Sequence, residues 1–339
     1  MPRQHTPYLS LYRGLAWLTL VLLLAMGDRP AVAQPSQVNM GIQPFISYVP
    51  IFVALDQGMF GEQGLEVKTE TFASSQKMTP GIASGQLDVV GGALSAAFYN
   101  SIATGLKMKI VADKGRWSKG HSITQFLVRR DLYENGTIKS VADLIGRKIV
   151  NNSPLTGPVY LLAIALKRAG GAYDHSKISY MEVPKIYQGL KSKAIEVGTC
   201  VEPWCSRAVS DGTAVSLIKG EDYPETLDFQ VAYVIFTDKF ISEKRETAQR
   251  FMNAYVRAVQ FYHEKGEQSD LIAQIVSKHT KIPPAIVKAA APTGIAPDAM
   301  PNIKSVADFQ DWLYEQGFVK QKLEINGLWD PSFVKNATK

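Results

Sequence analysis

Cysteine is scarce in this chain, with only two among 339 residues. Two are too few for a disulfide-rich scaffold or for a zinc site built from four cysteines. Histidine is also sparse: there are five, and none has the HExxH spacing typical of a zinc enzyme. The sequence therefore gives no indication of a disulfide framework or of a metal centre.

Several common functional motifs are missing as well. There is no Gly-x-Ser-x-Gly nucleophile elbow, no phosphate-binding loop ending in Gly-Lys-Ser/Thr and no Gly-x-Gly-x-x-Gly after a strand. The net charge is only +6, and no run of Lys or Arg is longer than two, unlike the basic patches of nucleic-acid-binding proteins. We therefore expect no catalytic residue, no cofactor, no metal and no nucleic-acid partner.

Long hydrophobic runs are absent apart from one at the N-terminus. Basic residues precede the apolar run Leu15–Met26, and Ala31-Val32-Ala33 follows it. This pattern predicts a signal peptide over residues 1–33 that is cleaved after Ala33, so that the protein is exported. The alternative, a membrane anchor, requires about 20 apolar residues. Cleavage lowers the net charge by two, because it removes three arginines and one aspartate.

The rest of the chain alternates short apolar runs with amphipathic stretches. The predicted strands are Leu65–Thr71, Leu87–Val90, Met108–Ala112, Ile123–Arg129, Lys148–Asn151, Ile178–Glu182, Ile195–Thr199 and Ala232–Phe236. The predicted helices are Val49–Asp56, Gln76–Ser84, Ser95–Ala103, Val159–Ala169, Tyr187–Lys193, Glu243–Lys265, Ser269–Lys278, Pro284–Ala290 and Val306–Gln316. This alternation predicts parallel sheets covered by helices. We expect two α/β lobes, with lobe I formed by residues 34–124 and 236–339 and lobe II by residues 125–235.

The two cysteines, Cys200 and Cys205, lie five residues apart, and this spacing leaves their oxidation state open. An oxidising compartment permits a disulfide. If a helix begins at Trp204, however, the two sulfurs would point apart. We therefore expect two buried free thiols rather than a disulfide.

The sequence IKSVAD occurs twice, at residues 138–143 and 303–308. In each copy, a serine at the N-cap and an aspartate three residues later would satisfy free backbone N–H groups at a helix start. Helix capping therefore explains both copies without an internal duplication.

Small and polar residues follow four of the predicted strands, at positions 73–75, 91–95, 114–118 and 151–157. In an open parallel sheet, ligands bind at the carboxyl ends of the strands, where helix N-termini favour anionic or hydrogen-bond-accepting groups. Each of these residues could equally serve only to cap a helix. Because four such loops come from two lobes, we expect a shared ligand cleft between them.

Four stretches of the chain resemble motifs of a known family, and they occur in the family's order. They are Tyr48–Glu66 (YVPIFVALDQGMFGEQGLE), Gly85–Val90 (GQLDVV), Ser140–Ile149 (SVADLIGRKI) and Glu202-Pro203-Trp204. They are similar to the periplasmic substrate-binding proteins of ABC importers, in the group that binds sulfonates, taurine, nitrate and thiamine pyrimidines. The resemblance implies a two-lobed periplasmic binding protein of type II, with a ligand cleft between two α/β lobes. It also implies a monomer that delivers its ligand to an inner-membrane permease with its ATPase.

Carried over position by position, the resemblance also implies the ligand contacts. They are Phe45, Tyr48, Ser74, Ser75, Gly92, Ala93, Ser95, Trp117, Asn152, Ser153, Thr156, Thr199, Glu202 and Tyr233. The four aromatic residues of this set would sandwich a flat ligand, unless they only pack in the core. Glu202 would either accept ligand N–H groups or cap the helix that follows it.

The ligand class stays open, because the cleft loops contain one arginine, Arg116, rather than the pair expected for a sulfonate. We expect a small polar or anionic organic molecule, from the sulfonates, pyrimidines or aromatic acids. One alternative function is a periplasmic enzyme with Glu202 as general base. Another is the ligand-sensing subunit of a membrane receptor.

Overall fold

The computed structural model describes residues 34–337, so the expected signal peptide lies outside the described residues. The strands are β1 (Ser36–Ile42), β2 (Leu65–Thr71), β3 (Val89–Gly92), β4 (Met108–Arg116), β5 (Thr124–Arg129), β6 (Ile149–Asn151), β7 (Ile178–Tyr180), β8 (Val197–Val201), β9 (Ala214–Lys219) and β10 (Gln230–Thr237). The helices are Val49–Asp56, Met59–Glu62, Thr79–Ala83, Ala96–Ala103, Arg130–Glu134, Gly157–Arg168, Val183–Lys191, Trp204–Ser210, Asp238–Glu243, Arg245–Lys265, Asp270–Thr280, Pro284–Ala289, Ile303–Glu315 and Ser332–Lys335. Within the described range, no helix is both long and apolar enough to cross a membrane.

The strands form two five-stranded sheets, and each sheet with its helices makes one lobe. The first lobe has the strand order β2-β1-β3-β10-β4, and the second has the order β7-β6-β8-β5-β9. The chain leaves the first sheet after β4 and returns to it with β10, which lies wholly in the first sheet. The expected lobe boundary at 235/236 therefore falls inside β10.

Both sheets are mixed, so the prediction of parallel sheets holds for β1 and β6 but not for β5 and β10. β10 runs antiparallel to β3 and β4, and β5 runs antiparallel to β8 and β9, whereas β1 and β6 have parallel partners. Parallel neighbours need a crossover connection, usually a helix. β5 and β10 each arrive directly from the other lobe without such a helix, and this explains their direction.

Local sequence patterns located most elements to within a few residues. The predicted strand Leu65–Thr71 and the predicted helix Val49–Asp56 match the structure at both ends. The expected helix Gln76–Ser84 is instead a 3-10 turn, Ser75–Met78, followed by one short helix. Strands β1 and β9 were not predicted, although β1 buries Val38, Met40 and Ile42 on alternating positions.

The two IKSVAD copies differ in their capping. In the first copy the Asp143 carboxylate accepts a hydrogen bond from the backbone N of Ser140 at 2.8 Å, which confirms the expected capping box. In the second copy the N-cap is Asn302, not Ser305, because the helix begins at Ile303. The side chain of Asn302 also donates to the backbone oxygen of Asp228, so contacts with another part of the chain fix this helix start.

The cysteines form a disulfide, so the expectation of free thiols was wrong. Cys200 lies in β8 and Cys205 is the second residue of helix Trp204–Ser210. The turn between them brings their Cα atoms to 5.2 Å, within the usual range for a disulfide. The chain turns just before the helix begins, and the spacing of the two cysteines does not specify this turn.

The two segments that cross between the lobes are hydrogen-bonded to each other. The backbone N of Trp117 donates to the oxygen of Phe229 at 2.9 Å, and that of Asp228 donates to the oxygen of Trp117. The rings of Trp117 and Phe229 stack with centroids 5.3 Å apart. Gly220 leaves room for the indole, because a Cβ there would lie 2.3 Å from it. Trp117 is thus part of the core between the crossing segments.

Candidate functional site

A cavity of about 60 Å³ lies between the two lobes. Both lobes contribute to its wall, which is lined by Gln43, Phe45, Ser47, Ser75, Gly92, Ala93, Lys114, Ile123, Thr124, Asn152, Ser153, Thr156, Pro158, Val201, Val231 and Ala232. None of these lining residues is acidic, and one, Lys114, carries a cationic side chain. Pockets for drug-sized ligands usually measure about 300–1,000 Å³, so in this arrangement of the lobes the cavity suits only a small molecule.

The lobes touch each other at the rim of this cavity. The side chain of Gln76 donates to the oxygen of Pro154 at 2.9 Å and accepts from the hydroxyl of Ser153 at 2.8 Å. Beside it, the backbone N of Ala96 donates to the oxygen of Leu155 at 3.1 Å. The structure therefore shows the lobes closed over the cavity.

The structure brings half of the predicted contact residues together around the cavity. They are Phe45, Ser75, Gly92, Ala93, Asn152, Ser153 and Thr156. They lie in the loops after β1 and β6, at and just after the end of β3, and at the first residue of the 3-10 helix Ser75–Met78. Whether they contact a ligand stays a prediction.

Three other predicted residues lie outside the cavity lining. Thr199 accepts a hydrogen bond from the backbone N of Asn152 at 2.9 Å. Ser95 is fully buried where the lobes meet, and its hydroxyl accepts from the backbone N of Phe98 at the start of helix Ala96–Ala103. Ser74 immediately precedes helix Ser75–Met78 and lies outside the cavity lining.

The predicted aromatic sandwich is not formed, because only Phe45 of the four aromatic residues lines the cavity. Trp117 lies between the crossing segments, and the hydroxyl of Tyr233 donates to the oxygen of Gln230 inside the first lobe. The hydroxyl of Tyr48 donates to the oxygen of Gly91. Aromatic residues near strand ends can face the core as easily as a cleft, and the sequence does not distinguish the two.

Glu202 is buried, and its carboxylate accepts hydrogen bonds from protein donors, as expected if it caps the helix that follows it. Its carboxylate accepts from the backbone N and the hydroxyl of Ser206, both at 3.0 Å, from Gln125 at 3.3 Å and from the backbone N of Ala291 at 3.4 Å. Burial raises the pKa of this carboxyl group to about 7, although these hydrogen bonds oppose the shift. The residue does not line the cavity between the lobes.

The most informative lining residue, Lys114, was not among the predicted contacts. It lies inside β4, which continues to Arg116 rather than ending at Ala112. Its ammonium donates to the hydroxyl of Ser47 at 2.9 Å and lies 3.6 Å from the ring centroid of Tyr48. A lysine that continues an apolar strand was the signal that could have identified it, because such a side chain is buried with its charge.

Burial lowers the pKa of Lys114 well below its usual value, and the neighbouring Asp113 only partly opposes this shift. Asp113 pairs with other groups instead. Its carboxylate lies 2.8 Å from Arg116 and accepts hydrogen bonds from the side chain of Gln230 and from the backbone N of Ala296. Among the described residues, no carboxylate lies within 4.0 Å of the Lys114 ammonium. The described residues also contain no cluster of side chains suited to a metal ion.

The sequence of this chain is similar to those of known proteins. Residues 31–277 match the NMT1-like family. The chain belongs to this family. A protein of Brachyspira hyodysenteriae named as an ABC transporter periplasmic binding protein is 26% identical over 254 residues, which are 72% of this chain and 70% of that protein.

Two solved structures illustrate the fold. The nitrate-binding protein NrtA of Synechocystis has a TM-score of 0.74 at 14% identity, over 89% of this chain and 88% of that chain. The alkanesulfonate-binding protein of Xanthomonas axonopodis, bound to MOPS, has a TM-score of 0.69 at 16% identity, over 88% and 99%. These similarities confirm the expected two-lobed α/β fold of a periplasmic binding protein.

Proposed function

We propose that this protein is the solute-binding component of an ABC importer, which captures a small polar or anionic organic molecule and delivers it to a membrane permease. The observation that carries the proposal is the cavity between the lobes, lined by both of them. A ligand favours closure only through its higher affinity for the closed state. Contacts from both lobes supply that difference, because they exist together only when the lobes are closed.

Cellular location and assembly complete the proposal. The Brachyspira relative is named as periplasmic, and the N-terminal pattern of this chain is typical of a cleaved signal peptide. We propose that the protein is exported, that cleavage occurs after Ala33, and that a monomer docks on an inner-membrane permease with its ATPase.

Binding is favoured over catalysis by the position of Glu202. The enzyme alternative requires this carboxylate to face a bound substrate as a general base. Instead, Ser206, Gln125 and Ala291 occupy it, and it lines a separate cleft rather than the cavity between the lobes. A sensor subunit would use the same cleft, and its genomic neighbours would include a receptor kinase instead of a permease and an ATPase.

A thermal-shift screen with small metabolites tests the proposal. A ligand at 100 times its Kd stabilises the native state by about 2.7 kcal/mol, and small-angle scattering should show compaction. Ala93→Trp, which fills the cavity mouth from a half-buried lining position, should abolish both responses. Ala142→Trp, at an exposed position of the second lobe, is the matched control and should retain them. If no solute stabilises or compacts the wild-type protein, the proposal is wrong.

A further inference from the structure

The cavity contains one buried lysine that no carboxylate of the described residues pairs with. Lys114 is 1% exposed, and a charge removed from water is costly unless it is paired. Its two protein acceptors are the hydroxyl oxygen and the backbone oxygen of Ser47, at 2.9 and 3.4 Å. An ammonium group has three N–H donors, so one remains for a group inside the cavity.

Several neighbouring residues hold this lysine in place. The ring of Tyr48 lies beneath the ammonium, and the hydroxyl of Tyr48 is fixed by the oxygen of Gly91. A Cβ at Gly91 would lie 2.5 Å from the Tyr48 ring and 3.1 Å from the Lys114 side chain. The absence of a side chain at Gly91 therefore makes room for both.

The second lobe adds donors on its side of the cavity. Within residues 34–337, neither the hydroxyl of Thr124 nor the side-chain amide nitrogen of Asn152 has a hydrogen-bond partner, and both residues line the cavity. Thr124 is a buried residue of the cavity wall. An acceptor-rich group between the lobes would satisfy these donors together with the third N–H of Lys114.

We infer that the ligand is a small monoanion, whose single oxyanion group pairs with Lys114 and accepts hydrogen bonds from Thr124 and Asn152. This inference rests on the proposed function and narrows its ligand class. One lysine without a carboxylate partner matches one negative charge, and the lining has no acidic residue to hold a cationic ligand. Phe45, Ile123 and Val231 form apolar parts of the wall, which suit a short hydrocarbon body.

Calorimetry with charge-matched probes tests this inference. Acetate, methanesulfonate and nitrate distinguish the carboxylate, sulfonate and inorganic sources of the oxyanion, and acetamide is the neutral counterpart of acetate. We expect at least one of the three anions to bind the wild-type protein and acetamide to bind at least tenfold more weakly. Lys114→Met should weaken anion binding about 10- to 100-fold, because hydrogen bonds to charged groups contribute about 1.5–3 kcal/mol. Lys114→Arg should retain part of it.

Two controls make the outcome decisive. Lys77→Met removes an exposed lysine from a segment next to the cleft and should bind like the wild type. The melting temperature of unliganded Lys114→Met shows whether that variant is folded, and loss of a buried charge should not lower it greatly. If a neutral or cationic metabolite stabilises the wild type and no anion does, or if Lys114→Met binds the anion undiminished, the monoanion inference fails while the proposed function stands. If no solute of any charge binds, both fail.

Discussion

The rim contact formed by Gln76 should control how readily the lobes open. Its side chain makes two hydrogen bonds to the second lobe, with Ser153 and Pro154 at 2.8 and 2.9 Å. At about 0.5–1.5 kcal/mol each, these bonds together favour the closed arrangement by about 1–3 kcal/mol. Gln76→Ala should therefore raise the ratio of open to closed molecules by about 5- to 150-fold.

Hydrogen exchange measures this change without a ligand. The amide of Ala96 in the first lobe donates to the oxygen of Leu155 in the second lobe, and the amide of Ile46 donates to the oxygen of Glu202. Both hydrogen bonds cross between the lobes, so their exchange reports opening. In Gln76→Ala, both amides should exchange faster, while amides within β8 should keep their wild-type rates.

Gln321→Ala is the matched control, because Gln321 is an exposed glutamine away from the cleft. It should exchange like the wild type at both reporter amides. If Gln76→Ala leaves the exchange of Ala96 and Ile46 unchanged, the rim hydrogen bonds do not hold the lobes together and this reasoning is refuted.

Three further predictions concern the residues around the cavity and the crossing segment. Gly91→Ala should lower the free energy of unfolding by about 1–3 kcal/mol, because the added methyl group would crowd the Tyr48 ring. Urea denaturation would measure this loss, and an unchanged midpoint would contradict the tight fit. The hydrogen bond with Glu267 raises the pKa of His121, so the stability from this pair is complete below pH 6.5 and is lost as the pH rises through the raised value. His121→Asn should thus destabilise the protein at pH 5.5 but not at pH 9, as thermal melts would show, and equal losses at both pH values would exclude the charge pair. Burial lowers the pKa of Lys114, and a bound anion would raise it again, so the affinity for anions should fall as the pH rises. Calorimetry in buffers of different ionisation enthalpy should show that a proton is taken up on binding. A pH-independent affinity without proton uptake would contradict this coupling.

The sequence predicted the two-lobed fold well because alternating strands and helices are local patterns. It did not predict the direction of β5 and β10, because that direction depends on how the chain crosses between the lobes. The same limit applies to the disulfide. The short distance between Cys200 and Cys205 results from a turn that spacing alone does not specify.

The sequence identified lining residues of the cavity that lie at the ends of strands and helices. It did not identify the lining residue that lies inside a strand. Ser75 begins a 3-10 helix, and Asn152 and Ser153 directly follow β6, so all three lie where small and polar residues follow predicted strands. Lys114 lies within β4, and the sequence-predicted end of that strand at Ala112 placed it in a loop instead. Its importance depends on burial and on the absence of a nearby carboxylate in the described structure, which are three-dimensional properties.

The positions of the aromatic residues change what the cavity can recognise. Two aromatic walls would select a flat ring, but Trp117 stacks on Phe229 between the crossing segments, and Tyr48 lies beneath the Lys114 ammonium. Tyr48 therefore packs against the Lys114 side chain and does not line the cavity. Because the remaining wall offers hydroxyl and amide donors around that single charge, the cavity is better suited to select for charge and small size than for aromatic shape.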